Sequence, residues 1–138
     1  MNKKLKHLEM IQGIIDRLAK DSFLLKGWSV TIVAALLALS AATGEKISLM
    51  LIAYIPLVVF WILDGYYLWN ERLFRALYER VIKKNENEID FDMKTRDLNH
   101  GRNTWIKTIF SKTLLIFYGA LILTMAAVIA YLVCGKSN

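Results

Sequence analysis

ISLMLIAYIPLVVFWILDGYYLWNERLFRALYERVI, residues 47–82, begins as an apolar membrane span and ends as a charged amphipathic helix, with no break signal between the two. From Ile47 to Leu63 only Ser48, Tyr54 and Pro56 are not plainly apolar, and hydrocarbon accepts such a composition over the roughly 20 residues that a crossing requires. Tyr66, Tyr67 and Trp69 follow Asp64; amphipathic aromatics favour the headgroup level, and Arg72, Arg75 and Arg80 beyond them belong in water. Leu73, Phe74, Leu77 and Val81 then recur at helical spacing, so the emerging helix keeps an apolar face in need of a partner. That face is the candidate docking surface for another helix or a soluble protein.

Working outward, 138 residues with 56% hydrophobic content and a mean hydropathy of +0.37 describe a small all-α membrane protein rather than a soluble domain. The net charge of +6 does not point to nucleic acid, because the basic residues flank apolar spans and interleave with acids. Cys134 is the only cysteine, which excludes an internal disulfide and leaves its role open. Lys3, Lys4 and Lys6 open the chain, but Glu9, Asp16, Arg17, Lys20 and Asp21 occupy the place of a signal peptide's apolar region, so the segment is expected to be retained.

Residues 1–22 are predicted to form a cytosolic amphipathic helix, with Leu5, Leu8, Ile11, Ile15 and Leu18 on one side. It is expected to end at Asp21-Ser22, a pair suited to capping a new helix. The membrane domain then covers 23–134, with spans at about 23–42, 47–66 and 112–134, a cytosolic helix and loop over 67–111, and a tail at 135–138. In the first span Thr31, Ala34, Ala35 and Ala38 make a stripe of small residues, and Gly119 contributes to another in the third; small residues let helices approach closely in lipid. Thr43-Gly44-Glu45-Lys46 predicts a tight turn between antiparallel neighbours. Pro56 removes a backbone hydrogen bond inside the second span and predicts a kink.

Lys and Arg counts set the orientation. Of eighteen, all but Lys46 and Lys136 lie before Gly27 or between Asp64 and Lys112, which places the N-terminus in the cytoplasm and, with three spans, the C-terminus outside.

Little in the chain suggests a reaction. His7 and His100 lack companions at metal-ligand spacing. Asp90-Phe91-Asp92-Met93-Lys94 has the look of a calcium loop, but Thr95 stands where glycine is required and Gly101 where glutamate is. No phosphate-cradling loop or nucleophile motif is present, so neither enzyme activity nor a cofactor is expected. Asp64 stands out, because an ionisable group near membrane depth is costly unless paired or wet. Either it forms a structural ion pair, with Lys26 or Lys112, or it serves with Pro56 at a pore mouth or gate. Arg72, Arg75, Arg80, Lys83 and Lys84 form a basic cluster that is either a solvated face or, in an oligomer, a site for an anionic nucleotide signal or lipid headgroup.

The runs Ser22-Phe-Leu-Leu-Lys-Gly-Trp28, Phe60-Trp-Ile-Leu-Asp-Gly-Tyr66, Glu71-Arg-Leu-Phe74, Trp105-Ile-Lys and Phe110-Ser-Lys112 resemble a family of small bacterial multi-span membrane proteins. In plan the chain also resembles SLATT-type two-span effectors of antiphage systems, from which its third span departs. That resemblance implies a homo-oligomeric inner-membrane effector that permeabilises or depolarises the membrane on a cytosolic signal. The other reading is a non-catalytic anchor or accessory subunit for a soluble protein.

Overall fold

The computed structural model describes residues 2–44 and 46–137. α1 runs from Lys3 to Thr43 and α2 from Lys46 to Lys83, each roughly twice the length a bilayer core needs at about 1.5 Å per residue. Three one-turn 3₁₀ segments, Glu86–Glu88, Arg96–Leu98 and Gly101–Asn103, carry the polar connection. A short α3, Trp105–Ile109, and a longer α4, Lys112–Gly135, follow. Among the described residues every regular element is helical, and α1, α2 and α4 are long and apolar enough to cross a membrane.

α2 is continuous from its apolar start to its charged end and passes through Pro56. α1 differs from expectation. The separate helix capped at Asp21-Ser22 is not formed, and the chain runs straight through both residues. The reason is tertiary: the Ser22 hydroxyl donates across the interface to Asp64 instead of accepting from free amides of a new helix. The true N-terminus of α1 is capped by Asn2, whose side chain accepts from the Leu5 amide at 3.0 Å. The Glu86 carboxylate accepts from the amides of Lys3 and Lys4, so an anion meets the positive end of the helix. At the other end Gly44, with φ of +78°, supplies the left-handed cap. Of the predicted turn 43–46, Glu45 lies outside the described residues.

α1 and α2 pack as an antiparallel pair with two cores. In the charged half, Ile11 and Ile15 of α1 meet Leu73, Leu77 and Val81 of α2, and Leu98 closes over them. The apolar face of α2 predicted to await an outside partner is therefore covered by the protein's own chain: Leu73, Leu77 and Val81 are buried, and Phe74 is half-buried against the same cluster. In the apolar half, Val33, Ala53 and Leu57 pack with Leu114, Tyr118 and Met125 of α4.

The residues that join α1 to its neighbours are Ser22, Ser29, Val33 and Ser40, which return at near-heptad spacing. Thr31, Ala34, Ala35 and Ala38 are exposed on the other side, so the small-residue stripe is not the seam of the hairpin. Gly119 is half-buried, with open space where a Cβ would stand.

α3 is seated on α2 at Gly65. A Cβ there would come within 2.5 Å of Ile109 Cγ1 and 3.4 Å of its Cα. The nearer atom is next to the branch of a stiff side chain, so it cannot swing clear. Gly65→Ala is expected to cost about 1–2 kcal/mol, the overpacking penalty exceeding the gain in helix propensity of up to about 1 kcal/mol. Reversible unfolding in detergent micelles measures this, and a more stable variant would show that α3 gives way.

Candidate functional site

Asp64 is wholly buried and holds the three long helices together. From α1, Ser22 donates to Oδ1 and the Lys26 ammonium lies 2.6 Å from Oδ2. From α4, the Tyr118 hydroxyl donates to Oδ2 at 3.0 Å. Lys26 also donates to Ser22 Oγ at 2.9 Å and lies 5.8 Å from the centroid of the Phe117 ring.

The local sequence explains this convergence. Ser22 and Lys26 are four apart and share one face of α1, while Asp64 lies one heptad beyond Leu57 on the buried side of α2. Trp61 stacks on Tyr118 with centroids 6.0 Å apart and donates its indole N–H to the Ile109 carbonyl at 3.0 Å. The tyrosine hydroxyl is thereby fixed, and α3 is tied to the same cluster. Of the two partners the sequence allows for Asp64, the structure selects Lys26. What it builds is a closed charge pair with its carboxylate satisfied three times, the arrangement that makes a buried acid tolerable.

Three hydroxyls elsewhere in the apolar half are satisfied by their own helices. Ser29, Thr31 and Thr124 donate to carbonyls four residues back, at 2.8–2.9 Å. Tyr54 reaches the Ile122 carbonyl at 3.4 Å.

The basic cluster is largely neutralised by its surroundings. Arg75 pairs with Glu71 at 2.8 Å, Arg80 with Asp97 at 2.7 Å and Lys84 with Asp90 at 3.1 Å; Lys83 is exposed. Arg72 and Arg75 line a cleft of about 350 Å³ together with Ala76, Glu79 and Asn103, and this is where the cluster offers a concave surface.

The Arg80–Asp97 pair binds the connection 84–98 to α2, the Lys84–Asp90 pair folds that connection on itself, and His7 is buried beneath it with Nε2 3.2 Å from the Asp92 carbonyl. Phe91, at φ of +54°, meets the His7 ring at a tilt of 43°, with centroids 5.4 Å apart. The hydrogen bond from Lys84, reinforced by the backbone N–H of Asp92, lowers the Asp90 pKa below its ordinary value. The hydrogen bond from Arg80 does the same for Asp97.

A depressed carboxylate pKa contributes stability that is present above the unfolded value and lost as pH falls through the folded one. The strap is therefore expected to stay docked at neutral pH and to loosen only below about pH 4. Hydrogen exchange of residues 84–98 between pH 6 and 3 checks this, and loosening already near pH 6 would contradict it.

Among the described residues no three of His, Cys, Asp and Glu gather as a metal site, and Cys134 is free and exposed. Sequence reasoning missed Ser22, Tyr118 and Trp61. Ser22 reads as a cap in the sequence, and the two aromatics look like ordinary span residues until α4 is placed against α2. The chain matches no protein-family model, no curated protein and no solved structure.

Proposed function

We propose that this protein is a homo-oligomeric effector of the bacterial inner membrane that permeabilises or depolarises it when a cytosolic signal, one raised against phage, arrives. In this reading the N-terminus and residues 67–111 face the cytoplasm and the C-terminus lies outside. The observation that carries it is the exposed face of Thr31, Ala34, Ala35 and Ala38. It is a surface for close helix approach that the chain does not use on itself, in a medium where packing rather than water exclusion drives association.

Ser29, Thr31 and Thr124 are turned back onto their own helices and the Asp64 pair is closed, so conduction is assigned to the space between copies. Asp64 and Lys26 hold the resting arrangement, and Pro56 gives α2 a weakened point at which to change. The cleft at Arg72 and Arg75 is the place for an anionic signal or a lipid headgroup. The accessory-subunit reading is less well supported, because the face of Leu73, Leu77 and Val81 that would receive the partner is already covered.

Ala34→Leu/Ala38→Leu is expected to weaken self-association by roughly tenfold while leaving the monomer folded. Mass measurement of the protein in nanodiscs, paired with a voltage-sensitive dye in expressing cells, tests this. A wild-type protein that stays monomeric at every density would refute it.

A further inference from the structure

We propose that Asp21, Trp28 and Tyr67 form a corner that holds the primary ammonium of a phospholipid headgroup, with an acyl chain of the same lipid lying in the adjoining groove over Gly27. This site is separate from the Asp64 cluster and does not depend on the assembly proposed above.

The corner is a cleft of about 230 Å³ between α1 and α2, lined by Asp21, Leu24, Leu25, Trp28 and Tyr67. It lies where α1 passes from its charged half into its apolar half, the level at which headgroups meet hydrocarbon. Asp21 is half-buried, and among the described residues its carboxylate makes no hydrogen bond or ion pair. The other membrane-level acid, Asp64, is satisfied three times over. Trp28 is 60% exposed and Tyr67 half-buried, so aromatic surface borders the carboxylate. An acid beside aromatic faces at a wet boundary is complementary to a cation, and the carboxylate's need for N–H donors selects a primary ammonium over a quaternary one.

The second half of the site continues from the first through Leu24 and Trp28. These two residues also line a groove of about 300 Å³ with Phe23, Gly27 and Thr31. Gly27 has nothing within 4 Å of where a Cβ would stand, so the absent side chain leaves the groove open. The one hydroxyl present, on Thr31, is turned back onto the Gly27 carbonyl at 2.9 Å. The groove is therefore apolar in chemistry as well as shape, as an acyl chain requires. An anionic lipid would gain the groove but would leave Asp21 without a partner and facing like charge. Thr31 belongs both to this groove and to the small-residue face of α1, so a lipid seated here borders that face.

The test is competition for the purified full-length protein in detergent. Equal amounts of phosphatidylethanolamine, phosphatidylcholine and phosphatidylglycerol are offered, and retained lipid is read by native mass spectrometry. Phosphatidylethanolamine is expected to be retained about fivefold over each of the others. Asp21→Asn should bring the three to near parity with an unchanged unfolding midpoint. Gly27→Leu, which fills open space, should reduce retention of all three. An absence of preference in the wild type, phosphatidylcholine retained as well as phosphatidylethanolamine, or a preference that survives Asp21→Asn would overturn the assignment.

Discussion

Lys26→Met is expected to destabilise the protein by about 3 kcal/mol, and Asp64→Leu by about half as much, although each removes the same ion pair. The asymmetry follows from burial. The side chain of Asp64 is 0% exposed and that of Lys26 20%. A lysine stripped of its partner can extend its ammonium toward the headgroups, whereas an aspartate without its lysine is left in the interior with two hydroxyl donors. The double variant Lys26→Met/Asp64→Leu should recover most of the loss, since apolar replacement of a whole buried pair is often neutral or better.

Tyr118→Phe sets the lower end of the scale at about 1 kcal/mol, since it removes one of three donors to the Asp64 carboxylate and leaves the Lys26 pair in place. Unfolding of the four variants in mixed micelles orders them. Equal losses for Lys26→Met and Asp64→Leu would show that both groups reach water and that the pair is not closed.

Leu77→Ala should cost about 3 kcal/mol, because a 2%-exposed leucine leaves a cavity in the centre of the cluster that joins the charged halves of the two helices. Its effect should be local. Residues 3–20 of α1 are expected to lose hydrogen-exchange protection, while the apolar half, with its separate core around Leu57, Tyr118 and Met125, keeps its own. This variant also divides the two functional readings. If the Leu77 face closes the protein on itself, the variant behaves as a loosened hairpin. Normal protection in residues 3–20, together with loss of a co-purifying protein, would restore the docking reading.

The three apolar helices were legible in the residues themselves, because a run such as Ile47–Leu63 needs no neighbour to declare its solvent. So was the continuity of α2 past Asp64, where neither glycine geometry nor proline interrupts the helix, and so was the candidacy of Asp64 and Lys26. The cap assigned to Asp21-Ser22 was not safe. A serine hydroxyl serves a helix end or a distant carboxylate equally well, and only the position of α2 decides which. Thr31, Ala34, Ala35 and Ala38 carried a similar ambiguity, since small side chains permit close approach to a helix without saying by what. The aromatic partners of Asp64 had no signal of their own, for Trp61 and Tyr118 are 57 positions apart and meet only through α4.

The amino-acid sequence by itself determined which helices are long and apolar enough to cross a membrane, since transfer of apolar side chains to hydrocarbon is settled residue by residue and adds along the chain. Tertiary structure alone decided which faces are spent and which remain. It closed Leu73, Leu77 and Val81 against Ile11 and Ile15, and it gave Asp64 its three donors while leaving Asp21 with none among the described residues. Whether a group is satisfied depends on its partner, and the partners here come from elements tens of residues away.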